Sequence, residues 1–228
     1  MTTTTLNGAS VLLLGATGGL GQALGEELAA RGAALTLVGR DQQRLDQLLA
    51  AGPRVALDLR SPDACATAMR TAVEHHGKLD VVINAVGVVA FGDVATLSTD
   101  VMEDLFMTNT FIPIMIATEA MNTLSIGGVI VNISGVIAEQ NLPGMVAYGA
   151  SKAALRAFDE GLAREARRKG VRVIDARPPH TETGLAGRAI AGTAPKMGGG
   201  LEPAFVARVI CDGIESGATD LGSEVFLA

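Results

Sequence analysis

Residues 11–21 read VLLLGATGGLG, and the order of those letters decides the fold. Four consecutive apolar residues, Val11 to Leu14, run straight into a glycine-rich stretch, and a helical pattern follows over residues 22–31. An unbroken apolar run suits a strand buried on both faces, which is how strands of parallel sheets read. Glycines between a strand and a helix let the backbone approach a pyrophosphate, whose charge is met by the free N–H groups and the positive dipole end of the helix. Gly15, Thr17, Gly18, Gly19, Leu20 and Gly21 are therefore the candidate phosphate cradle of a nucleotide-binding crossover unit.

Outward from this turn, short apolar runs alternate with helical stretches. Residues 35–38, 55–57, 81–83, 129–133, 171–174 and 225–227 join residues 11–14 as seven expected strands. Between them lie amphipathic segments with recognisable starts, such as Ser61-Pro62-Asp63, where serine caps and proline fits the first turn, and Glu202-Pro203 before the last helix. Strand–helix alternation demands crossovers, so the expected fold class is α/β, a doubly wound parallel sheet of about seven strands in three α/β/α layers. With 228 residues, 48% of them apolar, no internal repeat and no linker, residues 1–228 are expected to form one Rossmann-type domain. The threonine-rich residues 1–6 are expected to fray, and the glycine-laden residues 184–200 to form a flexible lid.

Composition removes several classes of function. The net charge of −6 gives no footprint for a nucleic-acid backbone. Aromatic content of 3% argues against a base- or sugar-stacking platform. Cys65 and Cys211 lie far apart without metal-ligand spacing around them and suit a reducing cytoplasm. Neither a basic leader nor an apolar run of membrane length is seen, so a cytoplasmic protein without a membrane partner is expected. The mean hydropathy of +0.35 fits strands buried on both sides.

Four elements in order along the chain resemble the short-chain dehydrogenase/reductase family. Gly15, Gly19 and Gly21 meet its Gly-x-x-x-Gly-x-Gly pattern. Asp58-Leu59 after the third strand looks like its adenine-contacting acidic position, and Asn84-Ala85-Val86-Gly87 resembles its Asn-Asn-Ala-Gly element. Tyr148-Gly149-Ala150-Ser151-Lys152 matches its Tyr-x-x-x-Lys. The resemblance runs from about residue 11 to residue 183. It implies an oxidoreductase that moves a hydride between a nicotinamide cofactor and a carbonyl or secondary alcohol, and a homodimer or homotetramer formed through the two long helices expected over residues 100–124 and 148–168. It also implies that Lys152 hydrogen-bonds the nicotinamide ribose, that Asn109 supports a water relay to the lysine, and that Pro178 and Thr183 meet the carboxamide end of the cofactor, although Pro179 stands where the family has glycine.

Which cofactor binds is decided after the second strand, where an acid would hold a ribose 2′-hydroxyl and repel a 2′-phosphate. Arg40 stands there and can pair with the phosphate, so NADP is expected, with Asp41 next door pulling the other way. Four residues apart on a helix, Tyr148 and Lys152 lie on one face. A nearby ammonium and a positive nicotinamide favour phenolate, making Tyr148 the acid/base. The family's serine, about thirteen positions before the tyrosine, is replaced by Gly135, leaving Ser134 one residue early. Successive strand residues face opposite ways, so Ser134 serves only if the strand end is irregular. Either Ser134 or another donor acts, or the protein is a weakened enzyme or an NADP-binding sensor or scaffold. Val86, Val88, Val89, Phe91, Ile137, Leu142 and Met145 suggest an apolar substrate pocket.

Overall fold

The structure, a computed structural model, describes residues 3–227. Seven strands form one parallel sheet in the order β3-β2-β1-β4-β5-β6-β7. They are β1 (Ser10–Leu14), β2 (Ala34–Gly39), β3 (Arg54–Ala56), β4 (Val81–Asn84), β5 (Val129–Ile133), β6 (Arg172–Ala176) and β7 (Asp220–Leu221). The helices are α1 (Gly19–Ala30), α2 (Gln42–Asp46), α3 (Pro62–His76), α4 (Thr99–Phe106), α5 (Ile112–Thr123), α6 (Val146–Ala166) and α7 (Pro203–Ser216). Side chains alternate across a strand, so each strand feeds two cores. Val11, Leu13, Ile83, Val131 and Ile174 pack with Leu24 and Leu28 of α1 and Val206 and Ile210 of α7. Leu12, Leu14, Val82, Ile130 and Val173 pack with α3, α5 and α6 on the other face.

The chain winds outward from β1 through β2 to β3, then crosses to β4 and winds the other way. Strand order reverses between β1 and β4, which is where open α/β sheets bind ligands, outside the carboxyl ends of their strands. Helix starts follow the expected chemistry. The Ser61 side chain accepts from the Ala64 N–H at the head of α3, Pro62 opens the helix, and Gly77 closes it in the left-handed conformation.

Two expectations change. The run at 225–227 is not a strand; β7 lies earlier, with Asp175 and Ala176 paired to Asp220 and Leu221, and residues 223–226 form a tight turn. Phe226 alone plugs the core, at 1% exposure, while Val225 and Leu227 stay at the surface, so three apolar letters served one buried position. Of residues 1–6, expected to fray, the first two lie outside the described residues, while Leu6 is fully buried and gives its N–H to Glu215 Oε1 at 3.2 Å. The helix expected over residues 100–124 is α4 and α5 joined by a widened π turn over Met107–Phe111. Pro113 has no N–H to offer the carbonyl of Asn109 four residues back, so the regular ladder cannot continue there.

Candidate active site

At the carboxyl ends of β1, β2 and β4 lies a cleft of about 250 Å³, bordered by Gly15, Thr17, Gly18, Arg40, Asp58, Leu59, Ala85 and Gly87. The turn above it is held together by closeness. A methyl group added at Gly21 would fall 2.1 Å from the Gly15 carbonyl oxygen, and one at Gly15, whose φ is +79°, 2.7 Å from the Ala85 backbone. Gly18 precedes α1, which starts with no side-chain cap and no acid in its first turn. Its first N–H groups thus keep their hydrogen-bonding capacity for an anion.

Arg40 is exposed at the cleft's edge and makes no ion pair among the described residues. Asp41, next to it, accepts from the Arg44 N–H at 3.2 Å and caps α2, so its carboxylate is occupied by the helix start. Arg44 swings back to donate to the Thr17 carbonyl at 2.7 Å and also borders the cleft. Sequence reasoning missed Arg44; the capping position of Asp41, three residues before it, was the available signal. The loop after β6 rests on the turn, since a Gly19 methyl would meet the Thr183 carbonyl oxygen at 2.4 Å. Leu185 and Arg188 from residues 184–200 line the opposite wall.

Not every expected cofactor residue opens onto this cleft. Asn84 is buried, accepting from the Val86 N–H at 3.1 Å and donating to Asn132 Oδ1 at 3.2 Å, so its side chain shapes the turn. The Pro178 carbonyl accepts from the Val136 N–H at 3.0 Å. The Thr183 hydroxyl accepts from the Leu185 N–H at 3.3 Å.

The first two turns of α6 carry Tyr148 and Lys152. Lys152 is 5% exposed and donates from Nζ to the Ile133 carbonyl at 2.7 Å. A methyl at Gly87 would sit 3.4 Å from Asn109 Oδ1 and 3.5 Å from Lys152 Nζ. The turn after β4, the π turn and α6 therefore converge on Gly87. Asn109 is fully buried; its Oδ1 accepts from the Val88 N–H at 2.9 Å, and its Nδ2 donates to the Val88 carbonyl at 2.9 Å and to Ser151 Oγ at 3.0 Å. Tyr148 is half-buried beside a small recess bordered by Phe91, Leu105 and Met145. Burial alone pushes its phenol up to about 12. The expected lowering by the neighbouring ammonium does not offset that burial. Burial pushes the Lys152 ammonium down to about 8, against the pull of Asp175 and Asp159.

A family model described as short chain dehydrogenase matches residues 9–193. The chain belongs to the short-chain dehydrogenase/reductase family. Such proteins are NAD(P)-dependent oxidoreductases, and the relatives carry names to match. A "Dehydrogenase/reductase SDR family protein 7-like" of Anopheles gambiae is 28% identical over 95% of this chain and 75% of its own length. "Dehydrogenase/reductase SDR family member 7B" of Bos taurus is 32% identical over 83% of this chain and 63% of its own length, and "Versicolorin reductase 1" of Dothistroma septosporum is 30% identical over 79% and 72%. Among solved structures, a dehydrogenase/reductase from Sinorhizobium meliloti 1021 superposes with a TM-score of 0.82 at 25% identity, covering 96% of this chain and 95% of its own. A short-chain dehydrogenase from Burkholderia cenocepacia J2315, solved with NADP, gives a TM-score of 0.85 at 24% identity over 96% and 97%.

This short-chain dehydrogenase/reductase departs from its family at the end of β5. The Ser134 hydroxyl donates to Asp175 Oδ1 at 2.5 Å and is 1% exposed, so Ser134 is turned into the protein and is not available as the substrate's hydrogen-bond donor. The strand end is irregular, with the N–H groups of both Ser134 and Gly135 directed to the Ala176 carbonyl, yet the irregularity does not bring the hydroxyl round. Gly135 has φ 84° and ψ 161°, a backbone region open essentially to glycine alone. Glycine here is thus required by the chain path as well as lacking a hydroxyl.

Proposed function

We propose that this protein is an NADP-dependent oxidoreductase that interconverts a carbonyl and a secondary alcohol, with Tyr148 as the acid/base and Lys152 as its partner. The observation that carries the reading is the meeting at Gly87, which borders the cleft below the uncapped head of α1 and also lies beside Lys152 and Asn109. The cleft suits a dinucleotide. Gly15, Gly18, Gly19 and Gly21 with the free N–H groups of α1 would receive the pyrophosphate, Asp58 and Leu59 the adenine, and Ala85 and Gly87 the ribose nearer the chemistry. Arg40 and Arg44 would hold a 2′-phosphate, for which Asp41, occupied in capping α2, offers little competition. Bound there, the nicotinamide supplies or accepts the hydride.

The protein's part is the proton. With its phenol pushed up to about 12, Tyr148 stays protonated at neutral pH and can donate to a carbonyl oxygen in reduction. Lys152, fixed by the Ile133 carbonyl, lies one turn away to restore that proton, with Asn109 behind it. The recess beside Tyr148, formed by Phe91, Leu105 and Met145, fits an apolar substrate flank. Residues 184–200 act as a lid: the Ile190 N–H donates to the Val89 carbonyl, and the Phe91 N–H to the Ala191 carbonyl, both at 2.9 Å, holding Leu185 and Arg188 over the cleft. A second copy packs against α4, α5 and α6, where Phe111 is 53% exposed; a monomeric mass in solution contradicts this. The buried free thiols of Cys65 and Cys211 suit the cytoplasm.

Tyr148→Phe tests the mechanism. NADPH consumption with a panel of apolar ketones and aldehydes should fall roughly 10²–10⁴-fold while NADPH binding persists; full turnover contradicts it. A second reading, NADP binding with little turnover, draws on the glycine at 135 and the inward hydroxyl of Ser134. Loss of one oxyanion donor costs roughly 10²–10³ in rate, which weakens an enzyme without abolishing it. Tight NADPH binding with no turnover on any of the panel favours the second reading.

A further inference from the structure

Under Tyr148 and Lys152 the sheet is polar where a core is ordinarily apolar. In register, Asn84, Asn132, Asp175 and Asp220 form one row across β4 to β7, and Asn84, Asn132 and Asp175 are buried. α6 brings two more groups down to this row, Lys152 and Asp159, two turns apart on one helix face. Asn132 Nδ2 donates to Asp159 Oδ1 at 2.7 Å. Asp175 receives Ser134 on Oδ1 at 2.5 Å and Arg177 on Oδ2 at 2.6 Å. Arg177 is shared further, donating to Asp220 at 2.6 Å and to Glu139.

The two buried acids are therefore unequal. Both oxygens of Asp175 have donors, which is the setting of a carboxylate. Asp159 is 2% exposed, and its Oδ2 is buried with no partner among the described residues. A buried anion with a bare oxygen is costly, and a neutral acid far less so. The ionisable groups acting on Lys152 are Asp159 from α6 and Asp175 from β6, with Tyr148 one turn before it and Arg177 and Asp220 acting in turn on Asp175; the π turn contributes the neutral Asn109 and Thr110.

We propose that Asp175 and Asp159 are positioning residues for the catalytic lysine: Asp175 is its fixed counter-charge, and Asp159 is a buried acid that ionises as the pH rises and adds a second. The proposal rests on the reading that Lys152 serves Tyr148. It also gives the displaced Ser134 a task, as a donor that keeps Asp175 charged. Burial lifts Asp159 to about 8 against its bond from Asn132. Burial raises Asp175 as well, but the hydrogen bonds from Ser134 and Arg177 oppose that rise, whereas Asp159 has only one such bond among the described residues. Asp175 and Asp159 both oppose the loss of charge that burial imposes on Lys152.

The signs are fixed. Removing either negative charge makes the Lys152 ammonium less favourable, so it loses its proton at lower pH, and the alkaline limb of the reductive kcat profile moves down. Asp175→Asn should shift it by about 1–2 pH units and Asp159→Asn by less than about 1 unit, with NADPH binding at neutral pH retained in both and the parent profile restored in Asp159→Glu. Profiles that overlay the parent's in both asparagine variants, while Tyr148→Phe is inactive, overturn the proposal and leave the catalytic reading standing. An active Tyr148→Phe sinks the catalytic reading instead. Carbon NMR of the aspartate carboxyls in the unsubstituted protein needs neither turnover nor a variant that folds. An Asp159 midpoint above about pH 6 supports the proposal, and one below about pH 6, nearer the ordinary carboxyl value, overturns it.

Discussion

The cofactor side and the chemical side of the sheet's carboxyl edge are built on opposite rules. Around β1 and α1 the groups offered to a ligand are backbone, and the helix start carries no side-chain cap and no acid. Around β5, β6 and α6 the polar groups are side chains, nearly all tied down: Ser134 to Asp175, Asp175 to Arg177, Asn132 to Asp159, Lys152 to the Ile133 carbonyl. A site made of free N–H groups waits for its anion to complete it. A site made of linked side chains holds its charges in place beforehand, in a setting where each is strengthened by exclusion of water.

Substitutions that add bulk to the first region or remove a link from the second should separate the two. Gly21→Ala is expected to have the largest effect, because its methyl would lie 2.1 Å from the Gly15 carbonyl and a backbone neighbour cannot yield cheaply. Loss of NADPH binding in calorimetry, with destabilisation of about 3 kcal/mol in denaturant melts, is the expected outcome. Arg40→Glu should leave the fold intact and lower the ratio of NADPH to NADH affinity by about 10–100-fold. An unchanged ratio would remove Arg40 from the phosphate site. In the second region, Gly135→Ser places a side chain at a φ of 84°; it should cost about 1–3 kcal/mol of stability and bring no large gain in turnover. A large gain would mean that the missing hydroxyl, and not the chain path, limits the rate.

The last expected effect is a pH-dependent one. Because the folded Asp159 is raised to about 8, the native state holds a proton that the unfolded chain releases above the ordinary carboxyl range. The stability linked to that proton is full below the unfolded value and is lost as the pH climbs toward about 8. Asp159→Asn, which cannot ionise, should therefore gain steadily on the parent in Tm as pH rises from 5 to 8. A melting difference independent of pH would show that Asp159 does not titrate in this range.

The same contrast explains what the sequence discloses. A backbone site leaves its trace in contiguous letters, since Gly15, Gly19 and Gly21 are needed for close approach and sit beside the strand that feeds them. Tyr148 and Lys152 are legible for the same reason, being one helical turn apart. The network below them is not, because Asp159 meets Asn132 across 27 residues and Ser134 meets Asp175 across 41. No spacing rule connects such pairs. The alternation of strand residues foretold that Ser134 would face away, but not what it would face. The position of β7 was hidden in the same way: an exposed Asp220 beside Leu221 carries no strand signature until Arg177 and Asp175 are placed next to it.

A structure of the protein with NADPH tests most directly whether both regions serve one ligand. The account predicts the 2′-phosphate against Arg40, the pyrophosphate at the head of α1, and the nicotinamide next to the hydroxyl of Tyr148. A cofactor held elsewhere, or one whose reactive ring points away from that hydroxyl, would contradict it.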